Sequence, residues 1–158
     1  NPYVIIASAS GLSSASSTTV AVNPGAASKL AFTSQPSSAT SNQPFAIQPV
    51  VAIQDLGGNT VTSSTANVTL AIGTNPGGGT LTCTNGLARS AVAGVATFSG
   101  CQINNAGVGY TLTASSGSLT PATSNPFQVG PDTLTDWYNW STASRSVPGS
   151  SRARWASC

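Results

Sequence analysis

No histidine, methionine or glutamate occurs anywhere in the chain, and its carboxylate side chains are three aspartates. Without histidine there is no Ser–His–Asp or Cys–His machinery, and the commonest general base is missing. A zinc site loses its usual nitrogen ligand, and three scattered cysteines do not close a tetrahedral site. These absences argue against an enzyme and against a bound metal or cofactor. Charge is equally scarce, at 5% of residues against roughly 25% in ordinary globular proteins. Residues 1–131 carry only Lys29, Asp55 and Arg89, while Asp132, Asp136, Arg145, Arg152 and Arg154 follow them. No basic stripe exists for nucleic acid. No apolar run approaches the roughly 20 residues of a membrane span. No basic segment leads into an apolar one at the N-terminus, so the export signal of a secreted parent is expected outside this chain.

What is present is 39% apolar residues in a background of Ser, Thr, Asn, Gln and Gly. That content is too apolar for disorder by the low-hydrophobicity, high-charge criterion. The surface is therefore expected to be polar and uncharged, as on extracellular repeat proteins. Helix signals are nearly absent, and short alternating runs recur between Gly, Pro, Asn and Ser clusters, the pattern of an all-β sandwich. Strands are expected within 28–36, 44–55, 66–73, 77–84, 94–103, 109–115 and 125–129, about seven or eight in all. Phe45, Ile47, Val51 and Ile53 fall on one face of the second. Val68, Leu70 and Ile72 point inward from the third, with Phe98, Cys101 and Ile103, then Tyr110, Leu112 and Ala114, in later ones. "GGN" at 57–59 reads as a hairpin turn. The glycine run "GGGT" at 77–80 is no phosphate loop, because no lysine follows and no helix begins there.

The chain also repeats itself. At an offset of 107 residues, "YVIIASASGLSSASSTTVAVNPG" from Tyr3 lies without a gap on "YTLTASSGSLTPATSNPFQVGPD" from Tyr110. Ala7 meets Ala114, Leu12 meets Leu119, Ala15 meets Ala122, Val22 meets Val129 and Pro24 meets Pro131. Ile5 meets Leu112 and Val20 meets Phe127, both apolar exchanges. Residues 1–25 therefore read as the last two strands of a preceding repeat, and residues 27–130 as one complete repeat. Two strands alone are marginal in water. Those carrying Tyr3, Ile5, Leu12, Val20 and Val22 are expected to dock on the complete domain, pair with a second chain, or fray.

"KLAFTSQP", "PVVAIQDLGGNTVTSS", "GVATFSGCQI" and "AGVGYTLTA" follow one another in order over residues 27–130. Through them the chain resembles the bacterial Ig-like repeats of large surface and secreted proteins, and is similar to Big and invasin-type modules found in tandem arrays. The resemblance implies an Ig-like β-sandwich serving as a spacer, stalk or adhesion module at the cell surface or outside the cell. It implies no catalytic residues. Residues 132–158 match nothing in the repeat, and read as the start of another domain, a disordered tail or vector-encoded sequence.

Few side chains invite chemistry. Cys83 and Cys101 flank a hairpin-like segment on the apolar faces of their strands, and a disulfide between them fits an exported protein. A redox-active pair has neither CxxC spacing nor a neighbouring base in its favour. Cys158, the odd one, is either a free thiol or an intermolecular bridge. Asp55 beside "LGGN" offers one oxygen ligand to calcium, too few for a good site, so a turn-stabilising role is expected. Trp137, Tyr138 and Trp140 form the aromatic cluster "DWYNW", suited to stacking on a sugar or anchoring a partner. Three functions compete on this basis: a structural or adhesion module, a nucleotide-independent chaperone-like homodimer that binds extended or unfolded polypeptide through exposed β edges, and a carbohydrate-binding module.

Overall fold

The structure is a computed structural model, and it describes residues 2–21 and 23–132. Every regular element in that span is a strand. The N-terminal segment holds β1 (Pro2–Tyr3), β2 (Ile6–Ala7), β3 (Ala15–Ser16) and β4 (Val20–Ala21). Then come β5 (Lys29–Ser34), β6 (Ala39–Thr40), β7 (Val50–Gln54), β8 (Asn67–Ile72), β9 (Leu81–Thr82) and β10 (Ala88–Ser90). The last six are β11 (Val95–Thr97), β12 (Gln102–Ile103), β13 (Gly107–Tyr110), β14 (Leu112–Ser115), β15 (Ala122–Thr123) and β16 (Phe127–Gly130).

From β5 onward these strands make an all-β sandwich. One layer is the antiparallel ladder β11-β7-β5. The other runs β10-β8-β14-β15 and continues as β13-β16-β6. The two pieces of that layer join because β13 and β14 are separated only by Thr111, and β15 and β16 are successive stretches of the returning strand. The final pairing, β16 with β6, is parallel. A short ladder, β12 with β9, lies beside the disulfide.

Alternation of apolar and polar residues explains the placement. Val68 and Leu70 of β8 are buried while Asn67, Thr69 and Ala71 face out, the period-2 pattern of a sheet with one wet face. Leu30, Val51, Ile53 and Ala96 from the first layer meet Val68, Leu70, Leu112, Ala114 and Val129 from the second in a single cluster. Phe45, Phe98, Ile103 and Tyr110 complete it. Each large side chain so buried contributes about 1.5–3 kcal/mol.

The expected strands are present but shorter and more broken. The run 44–55 is strand only from Val50, so Ile47 lies outside the ladder and is exposed, not on the core face with Phe45. Val51, Ala52 and Ile53 are all buried, so both faces of β7, the central strand between β11 and β5, are screened from solvent. Ile72 is only half-buried at the end of β8. The run 94–103 splits into β11 and β12. Segments β6, β10 and β15, which lack an alternating signature, pair at the sheet edges.

The glycine run has a packing reason. Tyr110 is fully buried and its hydroxyl donates to the Asn105 carbonyl, 2.9 Å away. A side chain at Gly77 would strike that hydroxyl and the Ala106 carbonyl, and one at Gly79 would come within 2.8 Å of the same hydroxyl. The expected turn at 57–59 is present: Gly58 sits at φ +87° and its N–H donates to the Asp55 carbonyl.

Candidate functional site

Residues 2–21 pair only with one another among the described residues. β1 pairs with β4 and β2 with β3, both antiparallel, forming a two-stranded hairpin. Tyr3, Val4, Ile5, Ile6, Leu12 and Val20 are all exposed on it. Of the three expectations for these strands, docking on the complete domain is not what the structure places there.

The hairpin is built like the one that ends the complete domain. Tyr3 lies opposite Val20 as Tyr110 lies opposite Phe127. Ala7 lies opposite Ala15 and Ile6 opposite Ser16, as Ala114 lies opposite Ala122 and Thr113 opposite Thr123. The side-chain bonds match too. The Ile5 N–H donates to Ser17 Oγ at 3.0 Å, and the Leu112 N–H to Ser124 Oγ at 2.9 Å. Each serine hydroxyl then donates to the next carbonyl, that of Thr18 at 2.8 Å and of Asn125 at 2.9 Å. The Ser17 and Ser124 N–H groups donate to the carbonyls of Ile5 and Leu112, both at 2.8 Å, and the tips close through Leu12 to Ala9 and Leu119 to Ser116. A serine that breaks each ladder into two short pieces is thus a shared local device.

What differs is cover. Tyr3 is 58% exposed and Ile5 64%, whereas their counterparts Tyr110 and Leu112 are fully buried. β14 has β8 on its far side, with Leu112 opposite Ile72 through to Ser115 opposite Thr69, and no strand among the described residues lies beside the corresponding edge from Ile5 to Ser8. The Asn125 and Gln128 N–H groups donate to Gln35 Oε1 and Ser38 Oγ.

The linker after the hairpin is held to the sandwich by a clamp at Asp55. Its carboxylate accepts from the Gly25 N–H at 2.8 Å, the Asn59 N–H at 2.9 Å and the Asn59 side-chain amide at 3.0 and 3.2 Å. These bonds, the Asn59 side chain first and then the Gly25 amide, favour the ionised form and lower its pKa from 3.8 to about 2. Asp55 is thus a turn residue, as expected. Its hold on the linker was not legible, because the partner lies 30 residues upstream. A groove of about 460 Å³ flanks this linker, lined by residues 23–27 and 61–64, which bring no carboxylate, amine or thiol to it.

Cys83 and Cys101 form the disulfide, with an S–S distance of 2.04 Å. Cys101 is fully buried and Cys83 packs partly against the core. Val22, Trp137, Tyr138, Trp140 and Cys158 lie outside the described residues. Among the described residues, no three His, Cys, Asp or Glu side chains gather as a metal site would require, and no helix is long and apolar enough to cross a membrane. In comparisons with known proteins, no family model matches the chain, and no curated protein matches it. The class the geometry defines is an all-β sandwich preceded by a hairpin with the pairing scheme of its own last two strands.

Proposed function

We propose that the chain is a non-enzymatic module of the bacterial Ig-like repeat type, acting as a structural or adhesion element in a tandem array of a surface or secreted protein. The observation that carries this reading is the shared register and serine bonds of residues 3–20 and 110–127, which part only at the open end, where Ala21 lies opposite Pro2 but Gln128 lies opposite Val108 across a bulge at Gly109. Chance likeness of two Ser/Thr-rich stretches explains shared letters, but not a shared register and a shared serine bond. The buried Tyr110 hydroxyl, bonded to a carbonyl a few residues upstream, also suits an Ig-type sandwich, where a tyrosine in that position recurs. The near absence of charge on the sandwich fits a repeat that neighbours copies of itself without repulsion. The test is a polymer of two, three and four copies of residues 26–132, measured by small-angle scattering. Maximum dimension rises by a constant step per copy if the unit is a spacer. Collapse of the copies into one compact particle would overturn the reading.

A second reading is favoured by the exposed Tyr3, Val4, Ile5 and Ile6 beside an unpaired strand edge. Under it the hairpins of two chains associate, and the homodimer captures extended client polypeptides without nucleotide. Light scattering gives twice the monomer mass, and removing residues 1–25 abolishes suppression of client aggregation. A monomeric chain with no effect on any client disposes of this reading.

A further inference from the structure

The exposed face of the hairpin has a counterpart whose cover is visible. Residues 110–129 are enclosed by strands from earlier in the same repeat. β8 pairs along the Leu112–Ser115 edge, and β6 pairs with Val129 and Gly130. Phe45 meets the Phe127 ring edge-on at 5.2 Å, and Tyr110 stacks on it at 6.2 Å. Thr120 exchanges backbone bonds with Ser28 and Leu30 at the start of the repeat. Each position has its equivalent 107 residues earlier: Ile5–Ser8 for the β8 edge, Val20 for the Phe127 ring, Ser13 for Thr120.

Resting on the repeat reading above, we infer that the face of residues 2–21 is a docking surface for one kind of partner: the strands of an Ig-like repeat equivalent to residues 27–107 of this chain, lacking their own closing hairpin. The hairpin donates the last two strands of that partner's sandwich. Tyr3 enters the place Tyr110 occupies, and Ile5–Ser8 receive the equivalent of β8 as a neighbouring strand. The edge complements a specific register because Ser17 already holds the Ile5 N–H, as Ser124 holds that of Leu112. An arbitrary extended peptide supplies one strand of that cover and leaves Tyr3 and Val20 without the rings and aliphatic side chains that bury Tyr110 and Phe127. Val20 is smaller than Phe127, so the natural partner carries more bulk opposite it than Phe45 does.

The test joins a copy of residues 26–107 directly ahead of Asn1 of the full chain, which puts the copied Gly107 where the repeat requires it. Hydrogen exchange is followed at the amides of Ile6 and Ser17, against the unextended chain. Docking slows their exchange about 100-fold or more, and Val20→Phe, filling the place of Phe127, slows it further. Unchanged exchange in the extended chain, or faster exchange on Val20→Phe, overturns the inference. Protection already present in the unextended chain, rising with its concentration, also overturns it, because a second copy then covers the face. A control joins residues 26–132 ahead of a second copy of residues 26–132. Two sandwiches in the control with an exposed hairpin in the extended chain sink the docking inference alone. Failure of the control to form two sandwiches sinks the repeat reading beneath it.

Discussion

Asp55 brings acid sensitivity to the fold. Its pKa stands at about 2 against an ordinary 3.8, so the unfolded chain takes up the proton first as pH falls. Its stabilising effect is therefore fully present above about pH 4 and disappears as pH approaches 2. The melting temperature should fall through that window, and Asp55→Asn should flatten the fall while lowering the melting temperature at neutral pH. An unchanged acid slope in the variant contradicts the clamp. Tyr110 and Phe98 report on the core. Tyr110→Phe removes a hydroxyl bonded to Asn105 and should cost about 1 kcal/mol in urea unfolding. Phe98→Ala opens a cavity in a fully enclosed position and should cost about 3–5 kcal/mol. Val68, Leu70, Leu112 and Ala114 were legible as core because their alternation is strict. Ile47 was not, because alternation continues in letters where Pro49 and the bends before it end the ladder. The Asp55–Gly25 bond left no mark in the sequence, since nothing local to Asp55 names a partner 30 residues away.

At the scale of elements, the disulfide and the closing hairpin divide the work of fixing the chain. Cys83 and Cys101 are 18 residues apart, and cross-linking a loop of that size stabilises by about 3 kcal/mol on the loop-entropy estimate. Replacing both with alanine should lower unfolding free energy by about that amount, measured by urea titration. A loss below about 1 kcal/mol contradicts the estimate. The pairing was readable because both cysteines fall beside apolar strand positions. The edge segments were not: Ala39–Thr40 and Ala88–Ser90 owe their strand geometry to the neighbours β16 and β8 rather than to their own pattern. Repeat comparison recovered what propensity did not. The offset that aligns Tyr3 with Tyr110 also aligns Ser17 with Ser124, and those serines split each ladder in the same way.

At the scale of the whole molecule, one closed sandwich follows one open hairpin of similar pairing, and the Gly25–Asp55 bond holds the linker between them to the sandwich. Composition sets the character of both. With three charged side chains in residues 1–131, the wet strand faces there carry mainly Thr, Ser and Asn. The most direct test of the central claim, that residues 2–21 are the closing hairpin of a repeat, is the cross-strand register in solution by nuclear Overhauser contacts on the full chain. Contacts are expected between the backbones of Tyr3 and Val20 and of Ala7 and Ala15, matching those of Tyr110 with Phe127 and Ala114 with Ala122. A register shifted by even one residue, or contacts of Tyr3 and Ile5 with the sandwich of residues 27–130 instead, would contradict it.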